Sequence, residues 1–165
     1  MKTGNKTDHE PCPLCFKPEA SDPLISSGEV MKCLEHFRNK RQEFFVCLSL
    51  DSSARLINQR VVTIGLLDMA VAHPREVFSG ALTDRASSII IAHNHPSGIA
   101  KPSNEDIETT QKLVSAGVVL GVPIRDHIVI GKREHFSFRE NGLLDWYEEP
   151  NSTYNPNMKL RSTSY

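Results

Sequence analysis

Ser88-Ile89-Ile90-Ile91-Ala92 is an apolar run too short for a helix and too uniform to keep one face wet. Such a run reads as the central strand of a sheet, buried on both sides. After a loop rich in proline and glycine, Ser103 opens the longest helical pattern of the chain. That helix is expected to reach about Leu120 and stop at Gly121, with Pro123 just beyond. Ile124 to Ile130 is the next strand, Gly131-Lys132-Arg133-Glu134 a turn, and His135 to Phe138 a short final strand.

The preceding half repeats this alternation. Ser26-Ser27-Gly28-Glu29 is a capping-box pattern that opens a helix over Ser27 to Phe37, with Val30, Leu34 and Phe37 on one face. Glu43 to Leu50 is a strand apolar enough to be covered twice, and Asp51-Ser52-Ser53 turns it into a second strand, Arg55 to Ile64. Pro74 suits the first turn of a helix that would bury Val77, Phe78, Ala81 and Leu82. Helices alternating with apolar strands imply an α/β fold: three layers, with helices on both faces of a sheet that the early hairpin makes mixed.

A chain of 165 residues suits one domain with short extensions. Residues 1–24 form a polar extension, 25–146 the domain, and 147–165 a tail too poor in apolar residues to fold. The net charge of −1 offers no electrostatic footprint for nucleic acid, so direct binding to it is not expected. Arg38-Asn39-Lys40-Arg41 reads as the solvated end of a helix. Nothing resembles a signal or membrane segment, so a cytoplasmic location is expected. There the four cysteines are thiols or metal ligands. Cys12, Cys15, Cys33 and His36 have zinc-ribbon spacing, but the second pair falls inside the helix already assigned.

The chemistry concentrates just past the central strand. On a strand, residues i and i+2 point to one side and lie about 6.7 Å apart, so His93 and His95 can aim both rings at one point. Asp106, in the first turn of the next helix, adds a carboxylate where the helix dipole favours negative charge. Two imidazoles and a carboxylate are a three-ligand set for zinc, leaving the fourth position to the water such an ion activates. A structural reading stands beside this one. Ser103 and Asp106 form a capping-box-like pair without any metal, and strand-end histidines are common turn residues. Asp126 and His127 could orient a ligand, or simply satisfy buried backbone groups.

The pattern His93-x-His95, seven residues, Ser103-x-x-Asp106 matches the JAMM signature of the JAB/MPN metalloprotease superfamily. The wider stretch resembles its bacterial RadC-like branch, through Pro74-Arg75-Glu76-Val77, His93 to Gly98, Ala116-Gly117, Asp126-His127, Ile130-Gly131 and Gly142-Leu143-Leu144. The resemblance implies a JAB/MPN fold, similar to cytidine deaminases, with one zinc ion held by His93, His95 and Asp106. It implies a glutamate general base, for which Glu43 fits and Glu76 is the reserve. It also implies that Ser103 stabilises the oxyanion of the tetrahedral intermediate. The expected activity is that of a zinc metallohydrolase, a peptidase or isopeptidase with a peptide or protein substrate.

Two other classes compete: a non-catalytic binding module, and a DNA-repair-associated factor after the family's historical label. Longer family members carry an N-terminal helix-hairpin-helix region. A chain of this length is not expected to hold it, so DNA binding inferred from that region does not transfer. A nucleobase deaminase is excluded because its His-x-Glu and downstream Pro-Cys-x-x-Cys are missing.

Overall fold

The computed structural model describes residues 15–16, 22–65 and 72–144. Its strands are β1 (Cys15–Phe16), β2 (Phe44–Leu50), β3 (Leu56–Ile64), β4 (Ser88–Asn94), β5 (Ile124–Ile130) and β6 (His135–Ser137). Its helices are α1 (Ser27–Leu34), α2 (Pro74–Thr83) and α3 (Asn104–Leu120). The strands form one sheet in the order β1-β3-β2-β4-β5-β6. β4 and β5 run parallel, joined through α3, and every other neighbouring pair among the described strands is antiparallel. This is the mixed, doubly covered α/β sheet expected.

Strand alternation sends two sets of side chains to two cores. Val46, Leu48, Leu50, Ile90 and Ala92 face α1, packing with Val30, Met31, Leu34 and Phe37. Phe45, Cys47, Ile89 and Ile91 face the other way, toward Val77, Phe78 and Ala81 of α2 and Leu113 of α3. Each fully buried leucine contributes on the order of 2–5 kcal/mol against truncation to alanine. No described helix is long and apolar enough to cross a membrane.

Local signals fix most boundaries. Ser26 caps α1 and Glu29 returns the bond to the cap, completing the capping box. α3 ends where Gly121 takes a left-handed φ of 68°, a conformation a side chain disfavours. Three expectations need correction. Regular α-helix stops at Leu34, and Glu35–Phe37 tightens into a 3-10 turn. Leu82 is 49% exposed, because it lies beyond the stripe of α2 that meets the sheet. Arg38 is no solvated helix end: its guanidinium donates to the carbonyls of Gly131 (2.9 Å) and Glu134 (2.8 Å), tying α1 to the β5–β6 turn. The tail 147–165 and most of the polar extension lie outside the described residues.

Candidate metal centre

β4 runs two residues further than its apolar stretch suggested, which carries His93 into the sheet. His93 is 1% exposed and shares a face with Ile89 and Ile91. The ring of Phe45, its cross-strand partner, stacks parallel to it at 6.1 Å. His95 stands just past the strand, its backbone N–H donating to the Ile130 carbonyl at 2.9 Å. Its Nδ1 lies 2.8 Å from the carbonyl of Ile99, which can only accept, so Nδ1 carries a proton and, in the neutral ring, Nε2 is left bare.

The third group comes from the start of α3. Ser103 caps the helix, its Oγ accepting the Asp106 N–H at 3.1 Å. Asp106 Oδ2 in turn accepts from the Ser103 backbone N–H and hydroxyl, both at 2.7 Å. The capping box and the ligand reading therefore coexist. Anchored by its cap bonds, the carboxylate lies 3.1 Å from His93 Nε2 through Oδ1 and 3.5 Å from His95 Nε2 through Oδ2.

The two Nε2 atoms are 3.0 Å apart. Donors bound about 2.0–2.1 Å from a tetrahedral ion lie about 3.3 Å from each other; the two ring nitrogens stand near that spacing, and each has one Asp106 oxygen within 3.5 Å. Among the described residues, His93, His95 and Asp106 form the group that could hold a metal ion.

The three groups shift one another's ionisation. Burial works to raise the Asp106 pKa, but the adjoining His93 and His95 rings and the hydrogen bond from Ser103 outweigh it and hold the carboxyl far below its ordinary range. The His95 pKa is raised, first by its bond to Asp106, against the opposing effect of burial; the charge of Glu43 adds to the rise.

Behind the ligands lies His127, one of the two residues read from the sequence as able to orient a ligand. His127 of β5 is fully buried, and its Nε2 lies 2.9 Å from His93 Nδ1. Its Nδ1 lies 2.6 Å from the Thr110 hydroxyl, which also meets the Asp106 carbonyl at 2.6 Å. Burial pushes the His127 pKa well below its usual value, so the ring is neutral. Asp126 takes no part. It faces the other side of the sheet, accepting from Ser137 Oγ at 2.6 Å and Arg139 N–H at 3.0 Å. Thr110, four residues after Asp106 on α3, carries no motif of its own.

Glu43 precedes β2 by one residue, on the same side as Phe45, and is half-buried. Glu76 points elsewhere, pairing with Arg75 at 3.0 Å on the first turn of α2 and lining a separate cavity beside Gly80 and Arg60. Of the zinc-ribbon residues, Cys12 lies outside the described residues, while Cys33 sits on α1 against the core and His36 in the turn after it.

The RadC-like JAB domain family matches residues 24–143. A UPF0758 protein of Methanosarcina acetivorans is 44% identical over 130 residues, covering 78% of this chain and 57% of that protein. UPF0758 proteins of Protochlamydia amoebophila and Bacillus mycoides are 42% and 45% identical, each over 67% of this chain and 48% and 49% of their own lengths. The chain thus spans about half the length of the curated relatives it matches. A family match over most of the chain, on a mixed sheet that converges two histidines and an aspartate, settles the kinship: this chain belongs to the RadC-like JAB domain family.

Proposed function

We propose that this chain is a zinc-dependent hydrolase of amide or isopeptide bonds, acting on a peptide or protein in the cytoplasm. The observation that carries the reading is the convergence of His93 Nε2, His95 Nε2 and the Asp106 carboxylate, close enough together to share one ion. Nitrogen and oxygen donors without thiolate suit a catalytic zinc site, and half-buried His95 and Asp106 leave one side accessible. A zinc ion held there would polarise a substrate carbonyl and lower the pKa of water.

The remaining roles fall to the chain's own groups. Glu43, half-buried at the head of β2, lies near enough for its charge to add to the rise of the His95 pKa. As general base it would take a proton from the attacking water and return it to the leaving amine. The Ser103 hydroxyl donates to Asp106 Oδ2 in the resting protein. It can turn to a substrate's carbonyl oxygen without freeing Asp106, because the Ser103 backbone N–H continues to hold the same oxygen.

The test uses a quenched-fluorescence peptide library to find a cleaved sequence, then compares variants on it. Glu43→Gln should retain its zinc yet lose about 10²–10⁴-fold in turnover. Undiminished turnover in Glu43→Gln, or cleavage that survives removal of zinc by chelation, would overturn the proposal.

A further inference from the structure

We propose that a buried relay, Thr110 to His127 to His93, sets which ring nitrogen of His93 is bare and thereby readies it to hold a metal. The inference rests on the metal-site reading above and extends it to two residues outside the ligand set. The single Thr110 hydroxyl proton has a pure acceptor in reach, the Asp106 carbonyl at 2.6 Å, and the relay assigns it there. The Thr110 oxygen then faces His127 Nδ1 at 2.6 Å as an acceptor, so Nδ1 must carry the proton. With its ring proton committed to Nδ1, the buried His127 turns the lone pair of Nε2 toward His93 Nδ1 at 2.9 Å. His93 Nδ1 must therefore be the donor. Its proton is committed away from the site, and Nε2, 3.0 Å from His95 Nε2, offers its lone pair to a cation.

Every link is held in place by packing. Phe138 stacks on His127 at 4.7 Å and Phe45 on His93 at 6.1 Å, so neither ring is free to turn over. The relay begins at the carbonyl of Asp106, itself a ligand candidate, so one turn of α3 orients a carboxylate directly and an imidazole at second hand. His95 reaches the same tautomer by a different device, the Ile99 carbonyl. A neutral partner on His93 has a chemical consequence. A carboxylate there would add a negative charge behind the ligand, whereas His127 leaves Asp106 as the anion of the set, so a divalent ion keeps more of its charge for polarising substrate.

Thr110 and His127 are positioning residues, and Thr110→Val tests them without altering a ligand or the packing volume. Removing the hydroxyl lets His127 place its proton on Nε2, which forces His93 to protonate the nitrogen facing the metal. Zinc affinity, measured by competition with a chelator, should fall about 10–100-fold in Thr110→Val and in His127→Phe, and recover in Thr110→Ser. Long-range proton–nitrogen NMR on the metal-free protein at about pH 9, where imidazoles are neutral, should show His93 protonated at Nδ1 in the wild type but not in Thr110→Val. Wild-type affinity and an unchanged His93 tautomer in Thr110→Val would overturn the relay. If the wild type bound no zinc, the metal-site reading would fail, while the tautomer of His93 in the metal-free protein would still decide the relay.

Discussion

Gly131 meets the backbone of Gly98 so closely that a Cβ at position 131 would come within 2.7 Å of the Gly98 carbonyl oxygen and 3.0 Å of the Ala100 nitrogen. Between those two atoms lies Ile99, whose carbonyl orients His95. The end of β5 thus presses directly on the loop that aims a candidate ligand. Gly131→Ala should shift that loop, costing about 1–3 kcal/mol of stability through overpacking. It should also weaken zinc binding about tenfold through the misplaced His95. Chelator competition and urea unfolding of the same preparation separate the two effects.

The Arg60 guanidinium engages the Asp84 carboxylate through both of its oxygens, with Nη2 to Oδ1 at 2.7 Å, and fastens β3 to the end of α2. Hydrogen bonding to Arg60 is the chief reason the Asp84 carboxyl sits below its ordinary value, against the opposing effect of burial. The unfolded state therefore binds the proton more readily. The stabilisation is present in full above the ordinary carboxylate value and is lost as pH falls through the lower, folded value. Asp84→Asn should cost about 1.5–3 kcal/mol at pH 7 and flatten the decline of stability in acid. Urea midpoints for both proteins between about pH 3 and pH 7 would check this.

Glu140 reaches back across the fold to the start of α1, accepting from the Ser27 backbone N–H at 2.9 Å and the Ser27 hydroxyl at 2.7 Å. A carboxylate at a helix N-terminus supplies an acceptor and complements the helix dipole. Glu140→Gln keeps one acceptor and loses the charge, so it should destabilise by about 0.5–1 kcal/mol, read as a shift in urea midpoint with an unchanged slope.

The fold was legible where local chemistry announces itself. Ser103 and Gly121 bracket α3 because a cap and a left-handed residue are local requirements, and Ser88 to Ala92 is a buried strand by composition alone. The ligand trio was legible for the same reason, being two residues on one strand end and one on the next helical turn. The contacts of Thr110 and Arg38 were not, and His127 was legible as a possible orienting residue but not as the partner of His93. Each depends on which strands become neighbours: His127 comes to His93 because β5 pairs parallel to β4 with Ile91 beside it. No spacing along the chain encodes that register. The exposure of Leu82 has the same origin, since the width of the buried stripe on α2 is set by the sheet beneath it.

The central claim is that His93, His95 and Asp106 together hold one divalent ion. Wild type, His93→Ala and Asp106→Ala, loaded with zinc and dialysed side by side, should be compared by elemental analysis. The account predicts that each variant carries about one zinc ion per chain fewer than the wild type while remaining folded by circular dichroism. Equal zinc content in all three folded proteins would contradict it.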